Sequence, residues 1–155
     1  MEQEIIRIGT RGSKMARFQA TLIKKLLQPL VPYTPIDIAI IKTQGDKDMN
    51  PVPLDSIGKG WFTKEIDRQL LDGEIDIAVH SLKDLPEVLP EGLIIAAIPE
   101  RDDPREALVS RSNLKLSELP HGARIGTDST RRRSQLLNIR DDFIVQSVRG
   151  NVNTR

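Results

Sequence analysis

Two hydrophobic rhythms alternate along the first half of this chain. Ile5 to Thr10 (IIRIGT) has the apolar character of a buried strand and closes on a polar residue. Ala16, Phe18, Ala20, Leu22, Ile23, Leu26, Leu27 and Leu30 then recur at helical spacing, and Ser13 stands where a hydroxyl caps a helix start. Pro32 and Pro35 punctuate, and Ile36 to Ile41 (IDIAII) predicts a second strand. Thr63 to Leu71 reads as a helix with Ile66, Leu70 and Leu71 inward and Gly73 at its end. A third strand, IDIAV, covers 75–79. Strand, helix, strand, helix, strand predicts a parallel sheet with right-handed crossovers. Between the second strand and second helix lies TQGDKDMNPVPLDSIGKGW, rich in Gly and Pro. It predicts a mobile loop over about 44–60, of a length found in lids or disordered segments.

The second half restarts the same scheme. LIIAAI (93–98) predicts a further strand, and ERDDPREALVS (100–110) turns from charged to apolar, as a crossing into a second unit does. Leu114 to Leu119 is a short helix or turn, Ala123 to Thr127 a strand, TRRRSQLLNI a helix capped by Asp128 or Ser129, and Phe143 to Val148 a strand. The reading is therefore two α/β domains, 1–99 and 100–155. RIGT occurs at Arg7–Thr10 and again at Arg124–Thr127, each time ending a strand just before a Ser at a helix start. Chance recurrence is one account of the echo. The other is two units that each aim a helix N-terminus, an anion-binding feature, at a shared cleft.

Composition narrows the chemistry. The 155 residues carry a formal charge of +1, with 38% hydrophobic, 29% charged and 3% aromatic residues, so the core rests on Ile, Leu, Val and Ala. Such a balance gives no general attraction to nucleic acid or anionic membranes. With no cysteine, the chain has no disulfide, thiolate metal site or thiol nucleophile of its own. That composition is compatible with a cytoplasmic location. MEQEIIRIGT is acidic and enters a strand at once, unlike a signal peptide, and no apolar run nears the roughly 20 residues of a membrane span.

Ligands of open parallel sheets bind beyond the carboxyl ends of the strands. Polar clusters stand there four times: Thr10-Arg11-Gly12-Ser13, Thr43-Gln44-Gly45-Asp46, Ser81-Leu82-Lys83-Asp84 and Thr127-Asp128-Ser129. Each alone is ordinary turn chemistry; together they predict a polar-lined cleft. Arg131, Arg132, Arg133, Arg140, Arg149 and Arg155 crowd the last part of the chain, and Arg grips carboxylate or phosphate with a planar fork. Asp84 reads as a single carboxylate among cations, suited to stabilising a cationic intermediate or moving a proton to a leaving amine. His80 and His121 lack metal-pair spacing, and no metal site is expected. His80 either packs at the strand end or relays a proton. Gly58-Lys59-Gly60 is too short for a phosphate-loop signature. Residue chemistry alone thus predicts a cleft for a polyanionic small molecule with one acid/base carboxylate.

RGSKMA (11–16), TQGD (43–46), GKGWFTKE (58–65), DIAVHSLKDLP (76–86), ERDDPREA (100–107), GTDSTRR (126–132) and RGNVNTR (149–155) are similar, in order and spacing, to the hydroxymethylbilane synthase (porphobilinogen deaminase) family. The resemblance implies two α/β lobes of periplasmic-binding-protein-like type around a cleft. It implies a transferase of tetrapyrrole (heme) biosynthesis that joins four porphobilinogen molecules head to tail, with release of ammonia, on a dipyrromethane cofactor. Asp84 would be the catalytic residue, contacting pyrrole nitrogens and stabilising the cation formed as the amine leaves. Arg11, Ser13, Ser81, Lys83, Thr127, Ser129, Arg131, Arg132, Arg149 and Arg155 would bind substrate or cofactor, chiefly through acetate and propionate groups. Asp46 would contact the cofactor and Lys59 would sit on the mobile loop. The implied partners are porphobilinogen and the growing polypyrrole, in a cytoplasmic monomer without nucleic acid or membrane.

The sequence departs from the family in places. Asp128 stands where Ser is usual and adds a negative charge beside a carboxylate site, unfavourable unless it points away or pairs with Arg. Trp61 and Met15 replace Leu, and Ile57 replaces a Gly ahead of the loop. Family members are longer and attach the cofactor to a cysteine in a third domain, so the chain is expected to be an N-terminal portion with an incomplete second lobe, inactive alone. A small-molecule polyanion-binding module of solute-binding type is the competing expectation, and the missing signal peptide speaks against an exported one. Nucleic-acid binding through TRRRSQLLNIR is disfavoured by the near-neutral charge and scarce aromatics.

Overall fold

A computed structural model describes residues 4–47, 60–148, 150, 152, 154 and 155. It divides into two compact units, Met1–Ala97 and Ile98–Arg155.

In the first unit, β1 (Ile6–Thr10) is the middle strand of a parallel sheet in the order β2-β1-β3, with β2 at Ile36–Ile40 and β3 at Ile77–Ala78. The register sets Ile6 opposite Ile36 and Ile8 opposite both Ile38 and Ile77. β3 is shorter than the IDIAV run because its ends pair differently. The Asp76 carboxylate accepts from the Arg7 amide at 2.7 Å, and the Asp76 amide donates to Arg7 O at 2.9 Å. Beyond the ladder the Val79 amide donates to Gly9 O at 3.0 Å.

Alternation of side chains along each strand assigns the two faces. Ile6, Ile8, Ile36, Ile38, Ile77 and Val79 pack with Ala20, Ile23 and Leu27 of α1 (Lys14–Leu27). Ala39, Ile41, Ile75 and Ala78 pack with Ile66 and Leu70 of α3 (Lys64–Leu71). The helices therefore cover opposite faces. Ser13 caps α1, accepting from the Ala16 amide at 3.2 Å. Only one of the two apolar stripes of α1 meets the sheet. Phe18, Leu22 and Leu26 lie on the other stripe and are exposed. A short α2 (Gln44–Lys47) interrupts the expected loop at its start. Across that loop the Gly45 amide donates to Trp61 O at 3.0 Å, and the Gln44 amide to Glu65 Oε1 at 2.9 Å. Gly45 is obligatory there, since a Cβ would stand 2.1 Å from the Phe62 ring.

The strand expected at 93–98 is not present: LIIAAI joins no ladder with the described strands, and Ile94 is 84% exposed. An apolar run specifies a wish for burial, not a partner edge, and without pairing it remains extended chain.

In the second unit, a short helical turn, Leu116–Glu118, leads to β4 (Arg124–Gly126), α4 (Thr130–Ile139) and β5 (Ile144–Gln146). β4 and β5 pair in parallel, Arg124 opposite Ile144 and Gly126 opposite Gln146. Ser129, not Asp128, caps α4 by accepting from the Arg132 amide at 3.3 Å. The glycines of the two RIGT copies share a packing environment. In both copies the glycine admits a neighbouring segment: a Cβ on Gly9 would stand 2.3 Å from Ile75 Cδ1, and on Gly126 2.3 Å from Val148 Cγ2. Among the described residues no helix is long and apolar enough to cross a membrane.

Candidate active site

The strand order dictates where polar side chains gather in the first unit. From β1 the chain leaves over one face to β2, then returns over the other face to β3 on the far side of β1. Such a reversal opens a crevice beyond the carboxyl ends of β1 and β3. Arg11 emerges there from β1, and a single helical turn, Leu82–Asp84, emerges there after β3.

Arg11 is the centre of the arrangement. Its Nη2 lies 2.6 Å and its Nε 3.2 Å from Asp46 Oδ1, while Nη1 is 3.9 Å from Asp84 Oδ2. Its guanidinium stacks over Phe62, 4.0 Å from the ring centroid. The side chains of Arg11, Asp46 and Asp84 are 19%, 25% and 26% exposed, so they face an opening while much of each is shielded. Asp46 also accepts from Thr43 Oγ1 at 2.8 Å and the Thr43 amide at 3.2 Å. Burial pushes the Asp46 carboxyl up, but hydrogen bonds from Arg11 and Thr43 outweigh it and leave its pKa below the ordinary carboxylate value. One expectation changes here. Asp84 is not a single carboxylate among cations, because Arg11 stands between it and Asp46.

The turn that carries Asp84 is fastened at two neighbouring residues. Ser81 Oγ donates to Gln19 Oε1 of α1 at 3.1 Å. His80 is buried toward α3, its Nε2 3.7 Å from Asp67 Oδ1. Lys83 is exposed on the turn, and Ser13 is half-buried in its capping role.

In the second unit, Arg131 and Arg132 occupy the first turn of α4, and both close on the carboxylate of Glu106, Arg132 Nη2 at 2.7 Å. Hydrogen bonds from the two arginines lower the Glu106 pKa. Thr127 Oγ1 accepts from the Ser129 amide at 3.2 Å. Asp128 accepts from the Ser147 hydroxyl. Arg155 is exposed. Not every arginine in this stretch is free for a ligand. Arg133 donates to Val145 O at 2.9 Å, and Arg140 holds Leu119 O at 2.8 Å and Asp142 at 2.8 Å. Hydrogen bonds from Arg140, then the Gly122 amide, draw the Asp142 carboxyl down to about 2. Lys59, Arg149 and Ile57 lie outside the described residues.

Sequence reasoning passed over Gln19, Phe62, Asp67 and Glu106. Asp67 had a readable signal: it follows Ile66 and precedes Leu70 by three on the inward stripe of its helix. Phe62 had another, as one of few aromatics in the chain. Gln19 and Glu106 had none, since their partners are distant in sequence.

The residues present suit a dipyrromethane. Pyrrole N–H groups need anionic acceptors, which Asp84 and Asp46 are, and its acid side chains need cations, which Arg11 and Lys83 supply. Covalent attachment through sulfur requires a cysteine that these 155 residues lack.

A family model described as "Porphobilinogen deaminase, dipyromethane cofactor binding domain" matches residues 6–155. The chain is 54% identical over 151 residues to a porphobilinogen deaminase of Syntrophomonas wolfei, an alignment covering 97% of this chain and 49% of the relative. It is 49% identical over 156 residues to one of Syntrophotalea carbinolica, covering 100% of this chain and 49% of the relative. It is 49% identical over 151 residues to one of Bacillus subtilis, covering 97% and 48%. The chain spans about half the length of the curated relatives it matches.

Proposed function

Because the chain belongs to the porphobilinogen deaminase family, we propose that it forms the catalytic crevice of a hydroxymethylbilane synthase. The reaction is the head-to-tail joining of four porphobilinogen molecules with release of ammonia at each step. The observation that carries this reading is Arg11 set between Asp46 and Asp84 at the point where strand order reverses. A cation there meets the substrate's carboxylates, and a carboxylate there meets positive charge as it develops.

Asp84 stabilises the cation left on porphobilinogen when its amine departs and accepts from the pyrrole N–H. A fixed carboxylate in a shielded crevice needs little reorganisation as the charge forms. Arg11, backed by Asp46 and Phe62, holds an acetate or propionate, and Lys83 and the Ser13 hydroxyl take others. Ser81 keeps the turn in register through Gln19. Dipyrromethane, when bound through a cysteine outside this chain, supplies the end to which new units are added. Arg131 and Arg132 already close on the Glu106 carboxylate, which supports a role for that fork, with Thr127, Ser129, Arg149 and Arg155, in binding carboxylates.

The wider reading follows the family. Residues 1–99 and 100–155 belong to two α/β lobes of solute-binding-protein type. The protein is a cytoplasmic monomer, a setting that the cysteine-free composition suits. Asp84→Asn in the intact enzyme tests the central role. Turnover of porphobilinogen falls about a hundred- to a thousandfold while the far-UV spectrum and melting curve stay native. A variant that turns over at the wild-type rate removes Asp84 from the mechanism.

A further inference from the structure

We propose that His80 is a positioning residue that acts through Asp84: buried against Asp67 on one side of the strand end while Ser81 is tied to Gln19 on the other, it fixes the catalytic turn and leaves the Asp84 carboxylate free of a competing cation. The inference rests on the assignment of Asp84 above.

The geometry comes first. His80 and Ser81 are adjacent on extended chain, so their side chains leave opposite faces of the sheet. Ser81 reaches Gln19 on α1, and His80 faces Asp67 on α3. The turn at Leu82–Asp84 is thus anchored from both layers just before it begins. The His80 side chain is 8% exposed and that of Asp67 12%. His80 Nε2 is buried and makes no hydrogen bond among the described residues, although Asp67 Oδ1 stands 3.7 Å away. A buried ring nitrogen without a partner is costly, and such groups call for a functional account. This one has an acid facing it across a gap that a protonated ring would draw closed.

The charges that act on His80 come from three elements: Asp67 on α3, Asp84 on the turn and Arg11 after β1. Burial has the largest influence and lowers the imidazole pKa below its ordinary 6.5; the two carboxylates oppose this and Arg11 reinforces it. The neutral ring leaves the negative charge of Asp84 available to the cation formed as the amine leaves. A protonated ring would instead add a positive charge that draws on the same carboxylate and weakens what Asp84 offers the developing cation. The consequence is an acid-side loss of rate that belongs to His80 rather than to Asp84 alone.

His80 and His121 are the two histidines of the chain, so their ring protons are separable by NMR. In a pH titration the His80 signal moves below pH 6.5, and it moves lower still in Asp67→Asn, which removes an opposing carboxylate. Asp84→Asn shifts it in the same direction and supplies a second variant should Asp67→Asn fold poorly. In the holoenzyme, His80→Gln, which cannot titrate, flattens the acid limb of kcat, and Asp67→Asn displaces that limb toward lower pH. A His80 signal that titrates at or above 6.5, or that ignores both substitutions, overturns the proposal without touching the Asp84 assignment. An acid limb unchanged in His80→Gln overturns it equally. Failure of the Asp84 assignment shows separately, as undiminished turnover in Asp84→Asn.

Discussion

At the scale of single residues, Arg11 holds the site together because its planar fork serves several neighbours at once. Asp46 takes Nε and Nη2, Asp84 lies within reach of Nη1, and Phe62 supports the flat face. A lysine has one point of charge and no plane to stack. Asp46 is what aims the fork, and its hydrogen bonds also tie down Thr43. Asp46→Asn should cost about 1 kcal/mol of folding stability, a modest sum because the pair is partly solvated. The sign with pH follows from the lowered carboxyl. The native state keeps Asp46 ionised more readily than the unfolded chain does. Its contribution is therefore complete above the ordinary value of 3.8 and is lost as pH falls through the depressed folded value. Urea midpoints measured from pH 6 down to pH 3 should converge for wild type and Asp46→Asn at the acid end. Midpoints that stay parallel over that range would contradict the pairing.

At the scale of elements, the serines that cap α1 and α4 combine two duties that substitution can separate. Ser13 and Ser129 each satisfy a helix-end amide, and each stands where the substrate's acids are proposed to bind. Alanine removes the cap and should cost about 1 kcal/mol. Aspartate keeps the cap but repels a carboxylate. Ser13→Asp should therefore melt near wild type yet raise KM for porphobilinogen in the intact enzyme, whereas Ser13→Ala lowers the melting temperature. Equal affinity in wild type and Ser13→Asp would take Ser13 out of the binding site. The two RIGT glycines should be intolerant for a reason unrelated to ligands: Gly9→Ala and Gly126→Ala press on buried or stiff aliphatic side chains and should each cost about 1–3 kcal/mol in chemical denaturation. Much of this layer was legible in the chain. The boundaries of α4 follow from TRRRSQLLNI and its Ser cap, and β1, α1 and β2 follow from periodicity. The 93–98 strand was not, because a strand is a relation between two edges and LIIAAI carries no mark of a partner. The pairing of Arg11 with Asp46 was not either: it spans 35 residues and depends on where α2 begins. His80 could be placed at a strand end and Asp67 on the inward stripe of its helix, but not the two opposite each other, since that needs the way α3 lies across β3.

At the scale of the whole molecule, acid and base groups are balanced to a formal charge of +1, so acid sensitivity comes from particular sites rather than from general repulsion. In the second unit Asp142, drawn from 3.8 to about 2, contributes stability that is complete above pH 3.8 and fades as pH falls toward 2. In the first unit His80 works at milder pH. With its native pKa below 6.5, the unfolded chain takes up the proton first, and stability declines as pH drops beneath that value. Denaturation followed by a probe in each unit should register the milder loss in the first. The cysteine-free composition gives a functional expectation as well. Incubated alone with porphobilinogen, the 155-residue chain should release no ammonia; steady release would refute the need for a thiol supplied from elsewhere.

The hydrogen bond from the Gly45 amide to Trp61 O, with Gln44 held to Glu65 beside it, joins the two edges of the intervening stretch at its base. Anchors that meet in this way fix the distance the chain between them has to span. Because closure entropy grows only with the logarithm of length, each doubling of the residues spliced between Gly45 and Trp61 costs only about 0.6 kcal/mol. Grafting longer or shorter inserts there should leave the hydrophobic layers beneath with their architecture.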